Sequence, residues 1–322
     1  MTTTLADAIS TATHWLQSTE IDHVAAFIGG SAATADPETL YSPTSDIDCY
    51  LVVAGEPPAT KIGKIVVENV LLDVSWLSWQ QIEAAPTDAV VGSLLNFGIV
   101  VDDTDDRLQR AQRDLHKTFT HPTAVALRLD DMKQRIHKGL AGESFASSTP
   151  EQVMNWIFPA TLTTHLPLVT HCVPLTVRKR FVAAKRVMQA DAYEVLLGLY
   201  GFADISSRET QDWLDQTAMI LAENTNLARE SDRFWASDLL APEIAIGGSQ
   251  ELINAGLHRE ALYWIIATSA RCLTLRADAG LGESIFEAEF DRMLATLGLL
   301  DRSDRAAKTM SVLQWIDAFD SI

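Results

Sequence analysis

The sequence predicts an α+β chain, with a mixed-sheet domain at residues 1–121 followed by an all-α helical bundle at residues 122–322. Short apolar runs bounded by Gly, Pro and polar turns crowd the first third of the chain, which is the pattern of strands. Beyond His121-Pro122 the apolar residues recur almost everywhere at helical spacing. The chain has 322 residues, 47 % of them hydrophobic, which is enough for two ordinary cores.

Taken in order, residues 4–18 place Leu5, Ala8, Ile9, Ala12, Trp15 and Leu16 on one helical face, suited to covering a sheet. Residues 21–28 form a first strand that runs into Gly29-Gly30-Ser31 and a polar, Pro-containing loop. Ser45-Asp46-Ile47-Asp48 then leads into a second apolar run at 49–53, and residues 55–58 (Gly-Glu-Pro-Pro) make a turn. Residues 61–68 and 70–77 read as adjacent strands joined at Glu68-Asn69. Ser78 caps a helix containing Trp79, Ile82 and Ala85. An amphipathic helix at 87–97 and a short strand at 99–101 follow. The acidic run 102–106 reads as a loop entering a helix, where acids favour the N-terminus.

In the second half, helices are expected at 123–140, 151–170, 175–190, 193–200, 208–226, 251–277, 283–297 and 302–319. Pro159 and Pro167 kink or divide the second of these. Residues 139–150 are small and polar and predict a loop.

The chemistry concentrates between residues 24 and 76. Side chains alternate along a strand, so Asp46 and Asp48 point the same way while Ile47 and Cys49 point into a core. Neighbouring carboxylates repel, and desolvation sharpens the repulsion. A divalent cation relieves it, and Mg²⁺ prefers one or two carboxylates plus substrate phosphates. Asp73 is the only acid in the strand-like run 70–76; if that strand lies beside the pair, three carboxylates converge. Glycines let a backbone approach phosphate closely, and exposed N–H groups with a Ser hydroxyl can hold it. Gly30 and Ser31, together with Ser45, are therefore the candidate phosphate contacts.

An apolar strand, Gly30-Ser31, a loop, Asp46 and Asp48 on a second strand, and Asp73 on a later apolar strand together resemble the DNA polymerase beta-like nucleotidyltransferase superfamily. In layout the chain is most similar to the aminoglycoside nucleotidyltransferases. The resemblance covers about the first third of the chain, with a helical companion domain after it. It departs from the common pattern in a longer loop before Asp46 and in lacking Arg-Gly after Gly-Ser.

The resemblance implies a palm-like catalytic domain, Mg²⁺ held by Asp46, Asp48 and Asp73, and ATP or another NTP as co-substrate. The activity implied is transfer of NMP, AMP from ATP, to a hydroxyl of a small cationic acceptor such as an aminoglycoside. Asp73 is either a metal ligand or the general base. Transfer to a protein or tRNA and a non-catalytic nucleotide sensor stand as alternatives. The densest basic stretch, residues 178–186, places Arg178 and Lys185 near one face if helical, with Val177, Phe181, Ala184 and Met188 packed. The resemblance puts a triphosphate-contacting helix in this region, making Lys185 and Arg178 the expected contacts.

Composition narrows the partners. Net charge is −18, and a chain this acidic is poorly suited to wrapping a nucleic acid backbone, while an acidic cleft attracts cations. No apolar run is long enough for a bilayer, and the N-terminal stretch, with acids and no basic leader, does not read as a secretory signal. The three cysteines, Cys49, Cys172 and Cys272, are scattered, which predicts reduced thiols and a cytoplasmic location. His165, His171 and the tryptophans at 156, 213, 235 and 264 read as structure more readily than as ligands or stacking platforms.

Overall fold

The computed structural model describes residues 3–141, 148–281 and 285–319. The chain is α+β, with a five-stranded mixed sheet in its N-terminal part and a largely helical remainder. It divides into two compact units, Met1–Met132 with Leu168–Val177, and Lys133–Pro167 with Arg178–Ile322. The expected boundary at 121–122 coincides with the start of a helix, which runs on past Met132 into the second unit.

In the first unit, α1 (Leu5–Ser18) starts at a capping box in which Thr4 and Asp7 satisfy each other's backbone donors. Strands β1 (Ala25–Ile28), β2 (Ile47–Val53), β3 (Gly63–Val67), β4 (Val70–Ser78) and β5 (Ile99–Asp103) form a sheet of order β3-β4-β2-β1-β5. All neighbours are antiparallel except β2 and β4, which are parallel. Leu5, Ala8, Ala12 and Leu16 of α1 cover one face, packing with Ile47, Cys49, Leu51, Leu72 and Val74. On the other face Phe27, Val52 and Leu77 pack with α2 (Trp79–Ala84), α3 (Ala89–Phe97) and α4 (Arg107–Thr118). Ser78 caps α2 through a capping box with Gln81, and Asp88 caps α3.

The acidic run is built into this frame. Asp102 lies 3.1 Å from His23 Nε2, and the Asp103 carboxylate accepts the Gln109 N–H at 2.8 Å over the first turn of α4.

The second unit takes up the end of α5 (Pro122–Ala141), then α6 (Thr149–Ala160), a 3₁₀ turn at Thr161–Thr164 and the start of α7 (His165–Thr170). The expected helix at 151–170 is thus divided after Pro159. The helix expected at 175–190 spans only α8, Arg180–Val187. Lys179 precedes its first turn, and extended Met188 ends it. Arg178 therefore precedes the helix instead of sharing a face with Lys185, and Val177 is exposed instead of packed.

After α9 (Ala190–Tyr200) and α10 (Ser207–Glu230), a helix expected over 251–277 is broken at Gly256, where φ is +74°. It becomes α11 (Gly248–Asn254) and α12 (His258–Asp278). Residues Glu260 to Leu275 of α12 are buried on every side, which makes it the central helix of this unit. α13 (Ile285–Leu297) and α14 (Arg302–Ala318) complete it. Part of the polar stretch at 139–150 and the start of the helix expected at 283 lie outside the described residues. No helix of the described residues is long and apolar enough to cross a membrane.

The β3–β4 hairpin closes on Glu68 and Asn69, both at positive φ (47° and 67°). That geometry suits a two-residue turn but strains Glu, which has a Cβ and no local hydrogen-bonding amide. Glu68→Gly is expected to stabilise the sheet unit by about 0.5–1 kcal/mol. Urea unfolding should show a raised midpoint; a lowered one would mean that the Glu68 side chain contributes more than its strain costs.

Candidate functional site

The site is built on the sheet face opposite α1. Because β2 and β4 are parallel, Asp48 falls directly beside Asp73, and because β3 and β4 are antiparallel, Lys64 falls directly beside Asp73. One row across three strands thus reads Lys64, Asp73, Asp48. The alternating residues Ile47, Cys49, Leu72 and Val74 are fully buried beneath α1 and fix this row to the opposite face. Asp46 precedes β2 and points to the same side.

Gly29 and Gly30 complete the floor. The Gly29 N–H donates to the Asp48 carbonyl at 2.9 Å, continuing the β1–β2 ladder by one residue. Gly30 has φ +64°, and a Cβ there would lie 1.8 Å from Asp48 Oδ2. Both facts demand glycine, because a side chain would be strained and would collide with the carboxylate. Ser31 follows at the start of a 3₁₀ turn, Ser31–Ala33, and is exposed. Among the described residues, neither the Gly30 and Ser31 N–H groups nor the Ser31 hydroxyl makes a hydrogen bond.

Tyr41 anchors the loop to the sheet. Its hydroxyl donates to the Ser45 carbonyl at 2.8 Å and accepts the Leu71 N–H at 3.2 Å. Ser45 is placed beside Asp46 by that contact, with its own N–H on the Ser42 carbonyl at 3.0 Å.

The electrostatics differ from a bare cluster of acids. Lys64, whose side chain is only 8 % exposed, contacts Asp46 and lies 3.3 Å from Asp73 Oδ2. Lys61 Nζ lies 2.5 Å from Asp73 Oδ1. The contact is an ion pair.

Burial would raise Asp73, yet Lys64 and Lys61 outweigh it and hold the carboxyl below its usual range. Asp48 goes the other way. Burial first, then repulsion from Asp46 and Asp73, pushes it up to about 7, despite some relief from the two lysines. Its side chain has no hydrogen bond or ion pair among the described residues.

Among the described residues, no three His, Cys, Asp or Glu side chains form a group that could hold a metal ion. Two of the three carboxylates of this face are paired with lysines. The donor chemistry still suits a hard divalent cation. Three carboxylates share one face, the Asp48 carboxylate makes no hydrogen bond or ion pair among the described residues, and a glycine cradle lies against it.

Arg178 and Lys185 lie in the helical unit. Arg178 donates to the Ile244 carbonyl at 3.1 Å and packs over Gly248, where a Cβ would meet its Nη1 at 1.7 Å. Lys185 is 2.8 Å from Glu260, a carboxylate only 1 % exposed that also accepts the Tyr193 hydroxyl at 3.0 Å. Arg180 of the same basic stretch is buried, with its guanidinium donating to Thr161 at 2.7 Å and lying over the Tyr263 ring. His165 is buried, as are Trp156, Trp235 and Trp264, while His171 is exposed and Trp213 partly buried.

Lys61 and Lys64 are the site residues that motif reading missed. Their signal was the hairpin itself: counting back from Glu68-Asn69 puts position 64 opposite position 73. Compared with known proteins, the chain matches no family model and no curated protein.

The shift at Asp48 has a definite sign. A carboxyl raised from 3.8 to about 7 stays protonated in the folded state after the unfolded chain has released its proton. In metal-free buffer this group makes stability fall as pH rises from about 4 to about 7 and level off above. Asp48→Asn should remove that decline. Thermal midpoints measured in EDTA from pH 5 to 8 would converge for the two proteins at low pH and separate toward pH 8, with the variant higher. Parallel curves would show that Asp48 titrates normally.

Proposed function

We propose that the chain is a Mg²⁺-dependent nucleotidyltransferase of the polymerase beta-like kind, moving AMP from ATP to a hydroxyl of a small cationic acceptor. One observation carries the reading: Asp48 and Asp73 are in register on adjacent parallel strands, with Gly30 against the Asp48 carboxylate. Carboxylates, a glycine-serine turn with unused N–H donors and two ammonium groups then share one face. Those are the parts that polyphosphate chemistry needs.

In this reading Asp46 and Asp48 would hold a divalent cation, with Asp73 completing its ligands, and the ion would supply positive charge against the triphosphate. Gly30 and Ser31 take phosphate oxygens, and Ser45 flanks them. The acceptor oxygen attacks the α-phosphorus, an O–P bond forms, the α–β bridge breaks and pyrophosphate leaves. The acceptor's proton passes to a base. Asp73 is held ionised by Lys64 and Lys61, which suits a ligand better than a base, whose proton affinity works best near the operating pH. A net charge of −18 favours a cationic acceptor over a nucleic acid.

The test is pyrophosphate release from ATP and Mg²⁺ with labelled nucleotide and a panel of hydroxylated polyamines. Transfer of label to a small amine is expected, with a loss of about 10²-fold or more in Asp46→Ala and Asp48→Ala. Both variants should fold and lose metal-dependent ATP binding. Release only with a protein or tRNA present would move the reading to macromolecular modification, and binding without release would make the chain a sensor. Full turnover by either variant would end the assignment.

A further inference from the structure

We infer that Lys64, assisted by Lys61, is a tethered cation that holds the place of the metal, so that the site admits a divalent ion together with a polyphosphate and not alone. The inference rests on the nucleotidyl-transfer reading for the identity of that polyphosphate. It begins with position. Lys64 stands on β3 directly beside Asp73, its side chain is almost fully buried, and its ammonium contacts both Asp46 and Asp73. Those are two of the three carboxylates that a metal would need. Lys61 occupies the remaining oxygen of Asp73 from the segment leading into β3.

Charge sets the rest. With all groups ionised, three carboxylates and two ammonium ions leave the face one negative charge. A divalent ion added to that arrangement would meet an ammonium already bound to two of its ligands, and the repulsion acts in a poorly hydrated setting. Lysine differs from a fixed ion in being flexible: its stem has four carbons and its head three donors that can be re-aimed. A triphosphate bound at Gly30-Ser31 offers acceptors that both ammonium groups can reach by rotating off the carboxylates. The carboxylates are then released to the metal: Lys64 exchanges two carboxylates, and Lys61 one, for phosphate oxygens. No bond is made or broken in this step.

Removing any ammonium beside the carboxylates strengthens cation binding, so the distinguishing readout is whether the gain disappears once a triphosphate has drawn the lysine away. Titration of the full chain with Mn²⁺, alone and with saturating ATP, followed by electron paramagnetic resonance, separates a lysine that moves from one that only balances charge. Lys64→Met is expected to bind Mn²⁺ at least about tenfold more tightly than the unsubstituted chain without ATP and about equally with it, and Lys61→Met to follow by a smaller factor; a gain that persists undiminished with ATP bound overturns the inference. Adding Asp48→Asn to Lys64→Met should abolish the gain.

A parallel calorimetric titration with ATP in the presence of Mn²⁺ tests the reading beneath. Unchanged Mn²⁺ affinity in a folded Lys64→Met, with ATP binding intact, overturns the inference and leaves nucleotidyl transfer standing. If Lys64→Met does not fold, Lys61→Met decides, and unchanged affinity there overturns the inference equally. A gain in Mn²⁺ affinity without any ATP binding would support the lysine–metal competition and remove the triphosphate.

Discussion

The parallel pairing of β2 with β4 sets the conditions for everything else in the sheet unit. It lays Asp48 beside Asp73 on the second and third strands of a sheet whose opposite face is sealed by α1. Like charges on neighbouring strands repel, and Asp46 adds to the same face. The local structure answers that repulsion. Lys64 comes in from the edge strand, Lys61 from the turn before it, and Asp48 is pushed toward its neutral form. Gly30 must lack a side chain because the Asp48 carboxylate occupies the space a Cβ would take.

How much of this was legible depended on how local each piece was. Alternation in β2 identified Asp46 and Asp48 as sharing a face, and Ser78 marked a helix start, since both signals act within a few residues. The β3–β4 register was equally available, because a two-residue turn fixes every pair behind it, and it would have revealed Lys64. The β2–β4 register was not available, since parallel strands joined through an intervening strand carry no turn from which to count. Family resemblance directed attention to acids; nothing in that pattern asks for lysines between them.

Periodicity misled in the helical unit for a physical reason. Residues 175–190 show helical spacing throughout, but the helix runs only over Arg180–Val187, after Lys179 and up to the extended Met188. The basic stretch therefore splits three ways. Arg178 is used on the Ile244 carbonyl, Arg180 is consumed by the core, and Lys185 pairs with the buried Glu260. A run of like charges on a helical wheel says which residues could share a face; burial decides which of them remain on a surface. Glu260 illustrates the converse, since a carboxylate at 1 % exposure stays tolerable only because Lys185 and Tyr193 both reach it.

The charge balance of the sheet face also separates a functional arrangement from a structural one. Two lysines would fully serve two carboxylates, and a fold selected only for stability could place an apolar residue at position 48, where Leu or Val suits the strand and removes the repulsion. Instead the face keeps one carboxylate more than its ammonium groups can match, and sets that carboxylate against Gly30, whose positive φ only glycine takes readily and whose N–H makes no hydrogen bond among the described residues. The unmatched carboxylate costs stability, and that cost is one ground for the proposed nucleotidyl transfer. What would satisfy the carboxylate and that N–H together is a positive ion against Asp48 and an anion against the Gly30 and Ser31 backbone. A metal–polyphosphate pair supplies them in the same event.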